Sequence, residues 1–489
     1  MRRGTGTTGL PGAEITSMSG NRVPIAVLGA GPAGLGAAFR LARRDVFEVT
    51  VLERSPHIGG NAGSFDLAGM RVDFGSHRLH PSCAPEILSD IKAMLGDELL
   101  DRPRHGRIRL RGRWLHFPLK PQDLALHLPP SFLGGVLVDM LGKLAPRKPG
   151  ATFASVLERG LGRTICRDFY FPYARKIWGV DPDELDAEQA RRRVSAGSLT
   201  KMAGKVLRSV RGVRKPGGGR FYYPAKGYGA ISEAYGVAAE AQGARLRMKT
   251  SVSAIETSEG RVERVHVVGP DGAETMEVQQ VLSTIPVSQL ARLIHPAAPE
   301  SVAASACKLK FRAMILIYLV LGTEQFTEYD AHYFPESDVR ITRLSEPKNY
   351  GLAGPAGSTV LCAELPCSME DPVWRASDAE LASLVGQALG AAGLPLRCPV
   401  LSVASRRLGQ AYPIYLRDYR PNFERIDDWV AGIDGLVTFG RQGLFAHDNT
   451  HHALAMAYAL DRCLGDDGQL DRAAWQNCRR SFEEHVVED

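Results

Sequence analysis

The sequence lacks a long apolar run, a closely spaced cysteine pair and a strong excess of either charge. Its longest apolar run, Met314–Leu321, is far shorter than the roughly 20 residues that a membrane-spanning helix needs. The eight cysteines form no C-x-x-C motif, which argues against a zinc site and a redox dithiol. The net charge of +6 is too dilute over 489 residues to indicate nucleic-acid binding. We therefore expect a cytoplasmic protein with reduced thiols, no integral membrane segment and no nucleic-acid partner.

The composition is that of an ordinary globular protein, with 44% hydrophobic and 23% charged residues. The length predicts two or three domains. Residues 1–22 are rich in Gly, Thr and Ser and predict a disordered tail, within which Met18 is a candidate translation start. The abundance of Arg, Ala and Gly is compatible with a GC-rich bacterial genome.

The order of apolar segments along the chain predicts an α/β fold. Residues 24–28 and 48–52 indicate two strands, and the segment between them indicates a helix that ends near Arg43. Similar strand and helix patterns recur in the middle of the chain and over Gly435–Leu464. We predict one Rossmann-like domain with a parallel sheet and flanking helices, assembled from residues 23–84, 221–290 and 430–489.

Two insertions are expected to interrupt this nucleotide-binding domain. Residues 85–220 predict a mostly helical domain, with amphipathic patterns over Leu124–Leu144 and Thr152–Phe171. Residues 291–429 predict a substrate-binding α+β domain, in which Met314–Leu321 forms a buried strand.

A glycine-rich turn, Gly29–Gly34, separates the first predicted strand from the first predicted helix and has the pattern G-x-G-x-x-G. Gly29 permits the tight turn, Gly31 lets a pyrophosphate approach the backbone, and Gly34 lets the helix pack closely on the strand. The pyrophosphate is then expected at the positive end of the helix. Glu53, at the end of the second predicted strand, is positioned to accept hydrogen bonds from ribose hydroxyls.

Two further glycine turns favour FAD over NAD as the bound dinucleotide. Gly59 and Gly60 follow Glu53 closely, and Gly440–Gly443 precedes the helix predicted near Thr450. A longer cofactor needs additional backbone donors along its pyrophosphate and ribityl chain, which these turns can provide. The alternative for Gly440–Gly443 is an ordinary connection between a strand and a helix.

Five motifs follow one another along the chain. They are the Gly29–Gly34 turn with Glu53 and Gly59–Asn61, then Val72–His80, Tyr173–Pro182, Ile341–Arg343 with Glu346, and Gly440–Gly443. In this order they resemble the FAD-dependent amine oxidase and protoporphyrinogen oxidase superfamily, and within it the UDP-galactopyranose mutases. The resemblance implies that Val72–His80 lies beside the flavin ring and that arginines hold a substrate diphosphate.

The resemblance implies four catalytic residues. His77 and His80 match the loop beside the flavin, Arg192 lies fourteen residues after Trp178, and Arg343 matches a second phosphate-binding arginine. Guanidinium groups bind phosphate oxygens in pairs and stay charged, which suits this role. The alternatives are loop histidines with ordinary hydrogen bonds, arginines in surface salt bridges and a tryptophan in the core.

Residues from all five motifs, together with loops near them, are expected to line the site. The expected cofactor contacts are Gly29, Gly31, Pro32, Ala33, Gly34, Glu53, Arg54, Gly59, Gly60, Asn61, His77, Val252, Gly440, Arg441 and Asn449. The expected substrate contacts are Trp178, Arg192, Tyr223, Tyr228, Arg343, Phe445 and His447. We predict no metal site, and interpret the cluster of His447, Asp448, His451 and His452 as helix capping with contacts to the flavin edge.

The predicted function is FAD-dependent oxidation of a sugar or nucleotide-sugar-like substrate, with hydride transfer to flavin N5. One alternative is mutase-like interconversion of pyranose and furanose rings of a nucleotide sugar on reduced FAD. Phe445 weighs against strict mutase activity, because the mutases have a hydroxyl-bearing tyrosine in this segment. A third possibility is an amine or protoporphyrinogen-type oxidase. The oligomeric state is left open.

Overall fold

The computed structural model describes residues 22–117, 127–142, 150–193 and 219–487. Almost all of the predicted N-terminal tail, including Met18, lies outside these residues. No helix within the described ranges is both long and apolar enough to cross a membrane.

Within the described ranges, twenty strands form three larger sheets and two antiparallel pairs. The strands are β1 (Val23–Leu28), β2 (Phe47–Leu52), β3 (Ser64–Leu67), β4 (Met70–Asp73), β5 (Leu99–Pro103), β6 (Gly106–Leu110), β7 (Arg113–Phe117), β8 (Arg220–Pro224), β9 (Arg245–Arg247), β10 (Ser251–Ser258), β11 (Arg261–Gly269), β12 (Gly272–Glu277), β13 (Gln280–Ser283), β14 (Ile294–His295), β15 (Lys310–Leu321), β16 (Ala331–Tyr333), β17 (Arg343–Ser345), β18 (Thr359–Cys367), β19 (Val400–Ile414) and β20 (Leu436–Thr438).

Fifteen helices lie between and after these strands in the described ranges. They are α1 (Pro32–Ala42), α2 (Pro85–Leu95), α3 (Pro130–Leu141), α4 (Phe153–Leu161), α5 (Arg163–Ile165), α6 (Phe171–Trp178), α7 (Ala187–Arg193), α8 (Ala230–Ala241), α9 (Val287–Leu293), α10 (Glu300–Lys308), α11 (Asp378–Ala391), α12 (Tyr419–Ala431), α13 (Gly440–Gly443), α14 (Thr450–Cys463) and α15 (Arg472–Phe482). A π-helical turn, Cys166–Tyr170, joins α5 to α6, and short 3-10 turns cover Gly60–Ala62, Gly96–Glu98, Pro347–Tyr350 and Pro372–Arg375.

The predicted parallel sheet is confirmed. Its five strands have the order β20-β13-β1-β2-β9, so segments from the beginning, middle and end of the chain pair in one sheet. Helix α1 packs against α14, and a Cβ at Gly36 would lie only 2.9 Å from a methyl group of Leu454. The α/β fold class predicted from the sequence is therefore confirmed, and the carboxyl end of β1 opens directly into the first glycine turn.

A seven-stranded sheet, in the order β19-β15-β18-β17-β16-β6-β7, forms the second large layer. Its strand β15 contains the predicted run Met314–Leu321 and is buried from Ala313 to its end. Alternate residues point to opposite faces of a strand, and here each face meets a different core. Leu316 and Tyr318 face the core shared with the parallel sheet, whereas Ile315 and Ile317 face the core that α11 covers.

The interval 85–220, predicted to be mostly helical, also contains the strands β5, β6 and β7. Strands β6 and β7 extend the seven-stranded sheet, and β5 pairs with β8. The signal for β6 is a period of two: Ile108 and Leu110 are buried, while Arg107 and Arg109, which alternate with them, are partly exposed. The prediction of a mostly helical domain rested on the longer helical patterns further along the interval, and this alternation is short.

Candidate flavin and substrate site

The first glycine turn has the geometry that its sequence predicts. Gly29 has a φ of +102°, and a Cβ at Gly34 would lie 2.0 Å from the Gly29 carbonyl oxygen. A side chain at either position would therefore disturb the backbone. Gly31 differs, since no protein atom lies within 4 Å of its hypothetical Cβ. This side of the turn, at the start of α1 with Pro32 as its first residue, is open to a ligand.

All three glycine turns meet at the start of α1. A Cβ at Gly60 would lie 3.5 Å from the Cα of Gly31, and a Cβ at Gly440 would lie 2.8 Å from the Cβ of Ala33. Gly59 donates its N–H to the Ala30 carbonyl at 2.8 Å. Three segments distant in sequence thus line one cradle, and its open glycine face fits the pyrophosphate of FAD.

Glu53 is held firmly at the end of β2. Its two carboxylate oxygens accept the N–H groups of Ala30 at 2.9 Å and Ser55 at 2.8 Å, which leaves lone pairs for ribose hydroxyls. The neighbouring Arg54 is exposed. Asn61 donates from its side-chain amide to the Gln410 carbonyl at 3.3 Å.

The other two predicted cofactor contacts lie on regular elements. Val252 is partly buried in β10 and packs on an apolar core shared with the parallel sheet. Asn449 is the N-cap of α14, the helix that packs against α1. Their contacts with the cofactor stay predictions.

His77 is fixed in a single tautomer by the loop that follows β4. Its Nε2–H donates to the Phe74 carbonyl at 2.9 Å, so Nδ1 carries the lone pair. The ring stacks on Tyr228 with a centroid distance of 5.2 Å. Burial lowers the pKa of His77 to about 4, and the positive charge of Arg343 acts in the same direction. His77 is therefore a neutral group at physiological pH.

His80 faces a different environment from His77. Its Nδ1 is bonded to the Ser82 hydroxyl at 2.8 Å and to the Ser82 N–H at 3.1 Å. It also lies close enough to His451, in the first turn of α14, to affect that group electrostatically. His77 and His80, which the sequence suggested as a pair, therefore have different neighbours. A catalytic role for His80 stays a prediction.

A buried carboxylate, Asp73, anchors the His77 loop. It accepts hydrogen bonds from the Ser64 hydroxyl, the Tyr223 hydroxyl and the Tyr228 N–H, each at 2.7 Å. Tyr223 is fully buried by these contacts and Tyr228 is almost so. Both tyrosines were predicted to border a substrate cleft. The structure gives them a direct role in holding the loop, and substrate contact stays a prediction.

Asp73→Ala should destabilise the protein by about 3 kcal/mol, because it leaves buried hydroxyl and amide donors without an acceptor. Urea unfolding measures this loss. The control is Asp66→Ala on the neighbouring strand β3, whose side chain is 81% exposed and which should change stability by less than about 0.5 kcal/mol. Equal effects of the two substitutions would contradict this role of Asp73.

Arginines and aromatic rings gather around Tyr412 in a group that we call the Tyr412 cluster, made of Trp178, Arg193, Tyr412, Arg441 and His447. The guanidinium carbons of Arg193 and Arg441 lie 5.2 Å and 5.1 Å from the Tyr412 ring centroid. Arg193 also lies 5.2 Å from the Trp178 ring, which packs edge-on against His447 at 5.1 Å. The two guanidinium groups thus make cation–π contacts with the same tyrosine ring.

Arg343 adjoins this cluster and the His77 loop. Its Nε and Nη2 both donate to one oxygen of Glu364, at 2.9 Å and 2.7 Å, which keeps the guanidinium in place. Tyr412 and Glu364 act on it electrostatically, and Arg343 in turn acts on His77. The structure thus places Arg343 near His77 and Tyr412, and the roles of these residues stay predictions.

Arg192 lies on a different face of α7 from Arg193. Its Nε donates to Glu188 at 3.0 Å, and its side chain lines a small cavity with Phe445 and Tyr415. Arg193 instead follows Gln189 by four residues, and the Gln189 amide contacts the His447 ring at 3.1 Å. Sequence reasoning therefore missed Arg193. The spacing of Gln189 and Arg193, one helical turn apart, was the available signal.

Within the described ranges, the two arginines of the Tyr412 cluster lack a direct carboxylate partner, although the Asp448 carboxylate acts on Arg441 electrostatically. Among the described residues, no carboxylate oxygen forms an ion pair with Arg193 or Arg441, and the Nε atoms of both are buried without a hydrogen-bond partner. Burial lowers the pKa of Arg441, and the charge of Arg193 acts in the same direction. Burial also holds the pKa of His447 well below its usual value, with both arginines adding to the effect. An anionic ligand would relieve this imbalance.

The histidines that follow the third glycine turn have separate roles. His452 accepts the Asn449 N–H at 3.2 Å in a capping box at the start of α14, which confirms capping for this residue. Asp448 lies between His452 and His485, with its Oδ1 atom 3.3 Å and 3.1 Å from their Nδ1 atoms. Burial acts to raise the pKa of Asp448, but its interactions with these two histidines outweigh burial and lower that pKa.

The protein should lose stability on mild acidification. Burial lowers the pKa of His77 to about 4 and of His332 and His451 to about 3 from 6.5, and holds that of His447 well below 6.5. Below pH 6.5 these histidines bind protons in the unfolded chain but stay neutral in the folded chain. The free energy of unfolding therefore falls as the pH falls. Asp73 opposes this loss between pH 6 and 3.8, since burial raises its pKa to about 6.

We expect a net loss of at least about 3 kcal/mol between about pH 7 and about pH 5, measured by urea unfolding. His77→Gln should reduce the slope, because glutamine does not titrate. A free energy of unfolding that stays constant or rises on acidification would contradict the assignment of these histidines as neutral buried groups.

Comparisons with known proteins agree with this geometry. The sequence profile of the family described as flavin containing amine oxidoreductase matches residues 32–401. A reduced UDP-galactopyranose mutase superimposes with a TM-score of 0.74 and 20% identity over 90% of this chain and 93% of that one. A putative protoporphyrinogen oxidase from Exiguobacterium sp. 255-15 superimposes with a TM-score of 0.70 and 20% identity, over 90% and 98% of the two chains.

Two further proteins are similar to this chain, one in structure and one in sequence. Cyclohexylamine oxidase from Brevibacterium oxydans IH-35A superimposes with a TM-score of 0.62 and 16% identity, over 94% of this chain and 100% of that one. A curated relative, phytoene dehydrogenase from Streptomyces griseus, is 40% identical over 81 residues, which are 16% of this chain and only 15% of that protein. The superpositions support the fold, and the family match supports the predicted flavin cofactor.

Proposed function

The chain belongs to the family of flavin-containing amine oxidoreductases, and we propose that it is an FAD-dependent oxidoreductase acting on a sugar or nucleotide-sugar-like substrate with an anionic group. The observation that carries the substrate class is the pair Arg193 and Arg441, which are half-buried, have buried Nε atoms without a hydrogen-bond partner and form no ion pair with a carboxylate among the described residues. Burying such charges is costly unless a counter-ion joins them, and a phosphate or carboxylate of the substrate would supply one.

The position of these arginines relative to the glycine cradle supports a substrate beside the flavin. Arg441 directly follows Gly440, whose backbone contacts α1 at the predicted cofactor site. Its Nη2 donates to the Ala411 carbonyl at 2.8 Å, which leaves other donors for a ligand. The positive charge of Arg343 helps to lower the pKa of His77, and Arg343 also interacts electrostatically with Tyr412.

In this proposal each residue has a defined task. Arg193 and Arg441 bind the anionic group, and Trp178, which is buried in a hydrophobic core as its sequence alternative predicted, packs against the guanidinium of Arg193. His77, with a lone pair on Nδ1, can accept a hydrogen bond from a substrate hydroxyl without introducing a charge. When bound, the flavin supplies the acceptor for a hydride from a C–H bond next to oxygen.

Mutase-like ring interconversion of a nucleotide sugar is the second candidate, since the same arginines would hold its diphosphate. The surroundings of Phe445 weigh against it. Phe445 is buried and packs edge-on against Phe311 at 5.0 Å, so this position offers a substrate no hydroxyl.

Oxidation of an amine or of a protoporphyrinogen-type substrate is less well supported. An ammonium group would add a third positive charge beside Arg193 and Arg441, which costs free energy at short range in a buried site. In this proposal Arg193 and Arg441 take the place of the predicted Arg192, whose Nε bonds to Glu188 and whose side chain lies on a different face of α7.

Anaerobic mixing tests the proposal. The oxidised enzyme is mixed with a panel of sugars, sugar phosphates and nucleotide sugars, and bleaching of the flavin absorbance band is followed. We expect bleaching with an anionic sugar and none with its uncharged counterpart. If instead the pre-reduced enzyme converts UDP-galactose into an isomer of equal mass without reoxidation of the flavin, the mutase alternative replaces the oxidoreductase proposal. Bleaching by amines alone would also overturn it.

A further inference from the structure

Two thiols lie side by side between helices α14 and α15. Cys463 is the final residue of α14, and Cys478 lies within α15, fifteen residues further along the chain. Their Sγ atoms are 3.9 Å apart, and the two helices pack against each other. The separation in sequence explains why a search for C-x-x-C motifs does not find this pair. A disulfide needs the two sulfurs about 2 Å closer, which rotation of the side chains can provide.

The two cysteines differ in their access to solvent. Cys463 is 4% exposed and belongs to the core that α14 shares with the parallel sheet, whereas Cys478 is partly exposed at the edge of that core. Burial raises the pKa of the Cys463 thiol to about 11, and the neighbouring Cys478 acts in the same direction. A dissolved oxidant therefore meets Cys478 first, and Cys463 is the second thiol to react.

Helix α15 is joined to the rest of the fold by few buried residues. Trp475 and Phe482 are the two buried residues of the helix. Its start is set by Asp471, whose N–H donates to the Cys463 carbonyl at 2.8 Å and whose carboxylate accepts the Ala474 N–H at 2.9 Å. A helix with so little buried surface unfolds locally at a lower cost than the core, and a covalent link to α14 raises that cost.

The segment after α15 returns to the neighbourhood of the candidate site. The His485 ring contacts the Asp448 carboxylate at 3.1 Å, and the Val487 N–H donates to the Arg192 carbonyl at 2.8 Å. Arg192 is followed on α7 by Arg193 of the Tyr412 cluster. Fastening α15 to α14 therefore also restrains contacts at the edge of the proposed substrate site.

We propose that Cys463 and Cys478 form a reversible disulfide that fastens α15 to α14. In exchange with a small disulfide such as oxidised glutathione, the Cys478 thiolate bonds to one sulfur and releases one thiol. The Cys463 thiolate then bonds to the Cys478 sulfur and releases the second thiol. The protein loses two electrons and two protons, and the small disulfide takes up both as two thiols. The proposal goes beyond the oxidoreductase function and does not depend on it.

Equilibration with mixtures of oxidised and reduced glutathione tests this site in the full-length, flavin-loaded protein. Free thiols are then blocked with N-ethylmaleimide in urea, and the peptides are identified by mass spectrometry. We expect a peptide in which Cys463 and Cys478 are linked, and which dithiothreitol converts back into two free thiols. Amide hydrogen exchange in α15, measured before the urea step, should be at least about tenfold slower in the oxidised protein than in the reduced one.

Cys478→Ser should lose both the linked peptide and the slower exchange of α15 on oxidation. The matched control is Cys307→Ser, since Cys307 is an exposed cysteine on α10, and this variant should keep both. Unchanged flavin absorbance and melting temperature of the reduced variants show that they are folded. The proposal is overturned if both thiols are alkylated at every glutathione ratio, or if glutathione stays on Cys478 without a link to Cys463. Equal exchange of α15 in the two states would overturn it as well.

Discussion

Gly31→Ala is expected to give a folded protein that has lost most of its flavin. The added methyl group would meet no protein atom within 4 Å, so the fold should tolerate it. The backbone conformation at Gly31, with φ −80° and ψ 177°, is also open to alanine. The methyl would instead occupy the space through which a pyrophosphate approaches the start of α1. We expect a loss of flavin affinity of about 100-fold or more, measured by fluorescence titration of the apoprotein.

Two further glycine substitutions serve as controls for this result. Gly34→Ala should prevent folding or strongly destabilise the protein, because its Cβ would lie 2.0 Å from the Gly29 carbonyl oxygen. Gly386→Ala, in α11 with open space around its Cβ, should keep full flavin binding and gain up to about 1 kcal/mol of stability. Full flavin affinity in Gly31→Ala would show that the cofactor does not lie along this turn.

Arg193→Gln is expected to weaken binding of an anionic ligand by about 30-fold, or about 2 kcal/mol, through loss of a charged hydrogen-bond donor. Uridine diphosphate serves as the probe, and perturbation of the flavin spectrum reports its binding. Arg441→Gln should have an effect of similar size. Flavin content should not change in Arg193→Gln, since Arg193 packs on the rings of Trp178 and Tyr412, which are not residues of the glycine turns.

Arg191→Gln is the matched control, because Arg191 lies on α7 like Arg193 but its side chain is 58% exposed. It should leave uridine diphosphate affinity unchanged. Arg192→Gln tests whether Arg192 or Arg193 is the residue of α7 that binds the anion. A large loss of affinity in Arg192→Gln, with none in Arg193→Gln, would restore the pairing predicted from the sequence and would contradict the role given to the Tyr412 cluster.

The local parts of the cofactor site could be predicted from the sequence because each depends on a short stretch of chain. The positive φ of Gly29 and the close approach of Gly34 to the Gly29 carbonyl oxygen involve only the strand, turn and helix around them. Glu53 at the end of β2 follows from the same unit. The long buried strand β15 could be predicted for a similar reason, since its apolar run is continuous.

The direction of side chains on α7 could not be predicted, because it depends on helix phase and on distant partners. Motif spacing selected Arg192, yet a helix turns about 100° per residue and the next residue, Arg193, faces Trp178 and Tyr412. Tyr412 lies on β19, more than two hundred residues away in sequence. The burial of Tyr223 against Asp73 likewise depends on the pairing of segments far apart in the chain.

The visible absorbance spectrum of the purified protein, recorded before and after addition of uridine diphosphate, tests the central claim most directly. The claim is that FAD lies along the start of α1 with the Tyr412 cluster beside it. We predict a flavin band whose shape changes saturably with uridine diphosphate in the unchanged protein and much less in Arg193→Gln. A folded but colourless protein that does not take up FAD, or a flavin band that uridine diphosphate leaves unchanged, would contradict the account.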